Sequence, residues 1–194
     1  EFYGLDPDRR HILIVGGSLG SGTLNRSMMK WIDNGCPGGE NVEIIWQCGK
    51  YYKAQVEAFM AKAGEKCGNI HWNDFISRMD LAYAVSDLVI SRSGASTVSE
   101  LCAVGKAALF VPSPNVAEDH QTHNAMALVR KDAAALVKDS DAPEVLMSKA
   151  LELVSDSAAI ARMEENISAL ALPDAAFRIA EKIYELVDRR NQNG

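Results

Sequence analysis

The sequence has no surplus of positive charge: 26 acidic residues outnumber 20 lysines and arginines, for a net charge of −6. A surface of that sign repels the phosphates of nucleic acids and of anionic lipids, which argues against a general nucleic-acid binder. A pocket for one phosphate group needs only a few aimed donors, so a nucleotide stays within reach. No C-x-x-C pair occurs among the four cysteines, Cys36, Cys48, Cys67 and Cys102, so their spacing suggests neither a zinc site nor a disulfide framework. A reducing cytoplasm is the compartment that this usage predicts. No apolar run approaches the ~18 residues of a membrane span, and the N-terminus lacks the basic-then-apolar order of a signal peptide. Peripheral attachment to a membrane stays open. Repeats and low-complexity tracts are missing too. What remains is a chain of 194 residues, 47% hydrophobic and 24% charged, long enough for one well-buried domain or two minimal ones.

Short β-rich runs alternate with longer helical patterns from residue 11 onward, which predicts a parallel sheet with helices on both faces. The strands expected are His11–Val15, Val42–Cys48, Asn69–Trp72, Leu88–Ser91, Ala107–Val111 and Ala134–Val137. Helices are expected near Thr23–Asp33, Tyr51–Ala63, Met79–Val85, Thr97–Val104 and Gln121–Arg130. Six strands fit one doubly wound, Rossmann-like α/β sheet. After residue 140 the alternation gives way to a helical tail at Ala142–Val154, Ala158–Leu170 and Asp174–Arg189. Phe177, Ile179, Ile183, Tyr184 and Val187 recur at helical spacing in the last of these, the pattern of a packing face or of a partner-binding one. The opening "EFYGLDPDRR" reads as a linker over residues 1–10, which leaves 11–190 as the domain.

In open α/β sheets, ligands gather beyond the carboxyl ends of the strands, where helix N-termini present unpaired N–H groups. "HILIVGGSLGSGTLN" runs from strand through glycine loop to helix, the arrangement that aims such groups at an anion. A Walker A loop would need lysine where Thr23 stands. The dinucleotide pattern Gly-x-Gly-x-x-Gly is not in register, and "IIWQCGK" ends the second strand without an acid for a ribose. Gly16-Gly17-Ser18-Leu19-Gly20 remains, with glycines for close backbone approach and the Ser18 hydroxyl for a phosphate oxygen. The same residues would also suit a tight turn that needs φ > 0.

"LVISRSGASTVSE" raises a similar pair of readings. Thr97-x-x-Glu100 has the form of a capping box, with Glu100 reaching back to its own helix start. Alternatively, Ser93 to Thr97 stay small so that a diphosphate can approach, while Glu100 accepts hydrogen bonds from both hydroxyls of a ribose. In "PSPNVAEDHQTHNA", Asp119 is a candidate N-cap, and Gln121 at the helix mouth a candidate reader of sugar hydroxyls. His120 and His123 have no carboxylate spacing that makes a metal site. Phe75 and Ile76, just after the third strand, are either core or an apolar shelf beside a base, with the Ile76 backbone pairing to a pyrimidine edge.

Gly16 to Gly20, "FISRMDLAYAVSDLVISRSGASTVSELCAVGKAALFVPSP" and "EDHQTHNA" together closely resemble the C-terminal half of the MurG family of bacterial peptidoglycan glycosyltransferases. The likeness extends over nearly the whole chain, and Arg-Ser-Gly-Ala-x-Thr-x-x-Glu is its most distinctive part. It implies one half of a GT-B enzyme, with UDP-N-acetylglucosamine held mainly by this half. The reaction implied is inverting transfer of N-acetylglucosamine to lipid I, giving lipid II in peptidoglycan synthesis, and so serving cell shape and division. No cofactor and no metal is implied, no nucleic acid partner, and a peripheral place on the cytoplasmic face of the inner membrane. Carried over by motif, Gly17, Ser18 and Gly20 resemble phosphate ligands; Phe75, Ile76 and Met79 the base side; Ala95, Ser96 and Thr97 the small-residue turn; Glu100 the ribose acid. His120 or Gln121 resembles the sugar reader. Ser96 stands where leucine is common in the family. The resemblance places the acceptor lipid and the base in an N-terminal domain outside this sequence, so the expectation is donor binding without useful turnover. A donor subunit of a split UDP-sugar transferase and a UDP-N-acetylglucosamine 2-epimerase are the alternatives.

Overall fold

The computed structural model describes residues 2–64, 68–115 and 117–192. Six parallel strands form one sheet: β1 (Arg10–Val15), β2 (Val42–Gln47), β3 (Ile70–Asn73), β4 (Leu88–Ser91), β5 (Ala108–Phe110) and β6 (Ala135–Leu136), in the order β3-β2-β1-β4-β5-β6. The helices between and after them are α1 (Gly22–Asp33), α2 (Lys53–Ala63), α3 (Met79–Val85), α4 (Ala95–Val104), α5 (His120–Val129), α6 (Ala142–Ser155), α7 (Ser157–Ser168) and α8 (Ala175–Gln192). All six expected strands are present, each within one residue of its expected ends.

Strands buried on both faces read as continuous apolar runs, and β1 shows why. Ile12 and Ile14 enter one core with Leu24, Met28 and Ile32 of α1 and Leu146 and Ala150 of α6. Leu13 and Val15 turn the other way, toward Ala82 and Tyr83 of α3, Leu101 of α4 and Ala125 of α5. Residues 12 to 14 are completely buried, so truncating Ile14 to alanine removes contacts on a face that cannot relax, at a cost of about 2–5 kcal/mol. Helix α1 buries Leu24, Met28, Trp31 and Ile32, a stripe at helical spacing. Its seat on β2 is fixed by a buried pair: Trp46 Nε1 donates to Asn25 Oδ1 at 3.0 Å, and Asn25 Nδ2 donates to the Cys48 carbonyl at 2.9 Å.

Three expectations need correction. Helix α8 does not pack on this domain: Phe177, Ile179, Ile183, Tyr184 and Val187 are all at least half exposed. Periodicity shows that a face suits burial, not what covers it. The opening residues are more than a free tether, since Tyr3 and Leu5 pack against the α3–α5 core and the Asp6 N–H donates to Glu43 Oε2 at 2.9 Å. Among the cysteines, Cys48 and Cys102 are free and buried, Cys36 is disulfide-bonded, and Cys67 lies outside the described residues. The bond at Cys36 was not legible from spacing, because a pairing depends on which residues folding brings together. Asn69, entering β3, ties to the turn that enters β2 by donating to the carbonyls of Gly39 and Val42.

Candidate functional site

Sheet order reverses between β1 and β4, and there a cleft of about 560 Å³ opens beyond the strand ends. Its lining comes from four strand exits: Gly16, Gly17 and Ser18 after β1; Gln47 ending β2; Phe75, Ile76 and Ser77 after β3; Ser91, Arg92 and Gly94 at the end of β4. Met79 and Tyr83 of α3, Thr97 and Glu100 of α4, and Gln121 of α5 complete it.

The glycine loop is a tight turn as well as a wall of the cleft. The Gly20 N–H donates to the Gly17 carbonyl at 3.1 Å, with both residues at positive φ, 92° and 84°. A Cβ on Gly20 would stand 2.1 Å from the Cys48 carbonyl oxygen. Gly20 is therefore required by the close approach of the loop to β2, and it is not among the cleft residues. Ser21 caps α1, its Oγ accepting from the Leu24 N–H at 3.4 Å. No residue of α1 itself is among the cleft residues.

Helix α4 starts two residues earlier than its pattern predicts. Gly94 is the N-cap, so Thr97 sits inside the first turn and Glu100 in the second. That excludes the capping box, which requires its threonine at the cap itself. Glu100 is held from the side: the Tyr83 hydroxyl donates to Oε2 at 3.2 Å, and among the described residues Oε1 makes no hydrogen bond. Burial first, and then the adjacent Glu100 carboxylate, push the Tyr83 phenol up to about 12. Tyr83 is thus a firm donor at neutral pH, and the carboxylate is oriented before any ligand arrives. Val98 N–H to Gly94 C=O is the first helical bond. The N–H groups of Ala95, Ser96 and Thr97 are left without helical acceptors, although the side chains of Ala95 and Ser96 are exposed and outside the lining.

At the other end, Phe75 is 49% exposed and Ile76 only 5%, so one is a rim residue and the other nearly core. The Lys50 ammonium lies 5.4 Å from the centre of the Phe75 ring, within cation–π range. The Ile76 N–H donates to Gln47 Oε1 at 2.8 Å. The donor half of the pairing expected for a pyrimidine is therefore already engaged. Ser91, 1% exposed, has an Oγ with no hydrogen-bond partner among the described residues. Orphaned buried hydroxyls are uncommon enough to need a reason, and this one borders the cleft.

Gln121 borders the cleft and His120 does not. The imidazole of His120 is largely exposed, 3.7 Å from Glu118, whereas Gln121 Oε1 accepts from the Ser113 N–H at 2.9 Å. Asp119 holds the N-cap position of α5 without a side-chain capping bond. Arg92 brings positive charge to the cleft, tied down by the Val111 carbonyl at 2.8 Å and by Asp139. Among the described residues no group of three or more histidine, cysteine or acidic side chains is placed to hold a metal ion. Gln47, Tyr83, Ser91 and Arg92 escaped the sequence reading. Their available signals were a glutamine closing a buried strand and a tyrosine hydroxyl on an apolar helix face.

The model of the glycosyltransferase family 28 C-terminal domain matches residues 11–179. The chain belongs to that family. This family 28 domain is 47% identical over 193 residues to the UDP-N-acetylglucosamine--N-acetylmuramyl-(pentapeptide) pyrophosphoryl-undecaprenol N-acetylglucosamine transferase of Phocaeicola vulgatus, covering 99% of this chain and 50% of the relative. The enzyme of the same name from Bacteroides thetaiotaomicron is 48% identical over 189 residues, covering 97% and 50%. The crystal structure of Acinetobacter baumannii MurG superposes with a TM-score of 0.75 at 32% identity, over 91% of this chain and 52% of that one. The family 28 domain spans about half the length of the curated relatives it matches, and the fold is that of one half of a GT-B transferase.

Proposed function

We propose that this chain holds UDP-N-acetylglucosamine for inverting transfer of N-acetylglucosamine to the C4 hydroxyl of the muramyl sugar in lipid I, giving lipid II. The observation that carries the reading is convergence on one cleft of the α4 N-terminus, the Ser18 turn and a carboxylate fixed by Tyr83. The N–H groups opening α4, with the Ser18 hydroxyl, suit a diphosphate. In transfer they would stabilise the charge that grows on departing UDP. Glu100 Oε1 and Oε2 accept the ribose hydroxyls, as an ionised carboxylate offers acceptors and no competing donor. Phe75, Ile76 and Met79 flank the base, and Gln121 faces the sugar. The relatives are about twice as long, and we assign the acceptor site and the base that deprotonates its hydroxyl to their remaining half. Lipid I is membrane-bound, so the whole enzyme works peripherally at the cytoplasmic face of the bacterial inner membrane.

Calorimetric titration with UDP-N-acetylglucosamine, UDP-glucose and UDP tests the assignment. The acetamido sugar should bind more tightly than glucose, and Glu100→Ala should weaken UDP-N-acetylglucosamine by about 1.5–3 kcal/mol, the range for hydrogen bonds to a charged group. No heat at millimolar nucleotide would remove the proposal. Conversion of the donor to its 2-epimer by the chain alone would replace transfer with epimerisation.

A further inference from the structure

Gln47 is the last residue of β2, 3% exposed, and both ends of its amide are engaged across long stretches of sequence. Nε2 donates to the Gly17 carbonyl at 3.0 Å, and Oε1 accepts from the Ile76 N–H at 2.8 Å. Gly17 lies on the loop after β1 and Ile76 on the loop after β3. Strand β2 runs between β1 and β3, so a side chain leaving its carboxyl end can bridge those two loops. The amide meets both demands, with a donor at one corner and an acceptor at the other; ionised glutamate lacks the donor and leucine lacks both.

We propose that Gln47 is a positioning residue that sets the separation between the diphosphate-side loop and the base-side loop of the cleft. The inference rests on reading that cleft as the nucleotide site. A nucleoside diphosphate must touch both loops at once, and each loop left free must be ordered at the expense of affinity when it binds. Gln47 orders them in advance, from beneath. It is distinct from the groups assigned above to phosphate, ribose and sugar.

The test pairs amide hydrogen exchange at Ile76 in the free 194-residue chain with calorimetric binding of UDP. Gln47→Leu should speed exchange at Ile76 and lower UDP affinity about tenfold, as expected for losing two hydrogen bonds and the order they impose. Gln47→Glu should keep Ile76 protected, because a carboxylate still accepts from it. It should nevertheless bind UDP more weakly than wild type, since it has no proton for Gly17. That split between protection and affinity is not expected of a residue that only fills space. Should Gln47→Leu fail to fold, Gln47→Glu decides alone: wild-type affinity in it overturns the role. Wild-type affinity in a folded Gln47→Leu, or unchanged exchange at Ile76, overturns it equally. Absence of UDP binding by the unaltered chain is a different failure. It removes the nucleotide reading itself and with it the purpose given to Gln47.

Discussion

The Tyr83 hydroxyl and the Glu100 carboxylate show how one contact sets both a stability and the orientation of a cleft side chain. The folded phenol is pushed from its ordinary 10.0 up to about 12, by burial and then by Glu100. Below pH 10 the folded and unfolded states both keep the proton, so the contribution is intact. Between pH 10 and 12 the unfolded chain releases its proton first, and stability falls by up to about 1.4 kcal/mol per pH unit. Tyr83→Phe has no proton to lose there. Urea midpoints measured from pH 9 to 11.5 should therefore fall more steeply for the wild type than for Tyr83→Phe, other groups cancelling in the difference. Parallel slopes would mean that the hydroxyl is not shielded against Glu100. This pair also marks where the sequence was ambiguous. Thr97-x-x-Glu100 fits a capping box as text, yet small residues before it let the helix begin at Ala95. The resulting two-residue offset frees Glu100 from the backbone and hands it to a tyrosine 17 positions away.

At the level of elements, the joint between the glycine loop and the exit of β2 is the least forgiving part of the site. Gly17 and Gly20 share positive φ, but only Gly20 faces backbone: its Cβ would overlap the Cys48 carbonyl, while one on Gly17 meets nothing within 4 Å. Gly17→Ala should cost about 1–2 kcal/mol for left-handed geometry alone. Gly20→Ala adds a steric overlap that the buried Asn25–Cys48 bond prevents from relaxing, for a total of roughly 3–5 kcal/mol. Denaturant unfolding of the two variants tests the order, and equal losses would refute the assigned contact. Helix α8 is the contrary case. Its apolar residues are exposed, so deleting residues 172–194 should shift the thermal midpoint of the domain by less than about 2 °C. A larger fall would show that α8 supports this domain after all. Strands were legible because parallel strands buried on both faces are continuous apolar runs with few competing readings. Helix starts were not, since Gly94 caps α4 without any side-chain signal. Gln47 was invisible for a related reason: a polar residue ending a strand looks like a boundary until the loops on either side fold over it.

Across the whole molecule, β1 leads outward through β2 to β3, while β4 leads the other way through β5 to β6. Loops from both arms meet over the β1–β4 boundary, so a ligand seated there joins the two halves of the sheet. Glu100 and Gln121 belong to one arm and Gly17, Gln47 and Ile76 to the other. A nucleotide that contacts both arms stabilises the domain as a single cooperative unit. Saturation at about one hundred times the dissociation constant should then add about 2.7 kcal/mol to unfolding, rising with the logarithm of ligand concentration. Thermal unfolding followed by two probes, fluorescence of Trp31, Trp46 and Trp72 on α1, β2 and β3 and far-ultraviolet dichroism for the helices, should give one midpoint that climbs together as UDP-N-acetylglucosamine is added. Separate midpoints, with only the β1–β3 arm responding, would mean that the ligand sits on the glycine loop and never reaches Glu100. Under the same conditions lipid I should not be converted by this chain alone, because the groups proposed here serve the departing nucleotide while the proposed acceptor base belongs to the other half of the longer relatives.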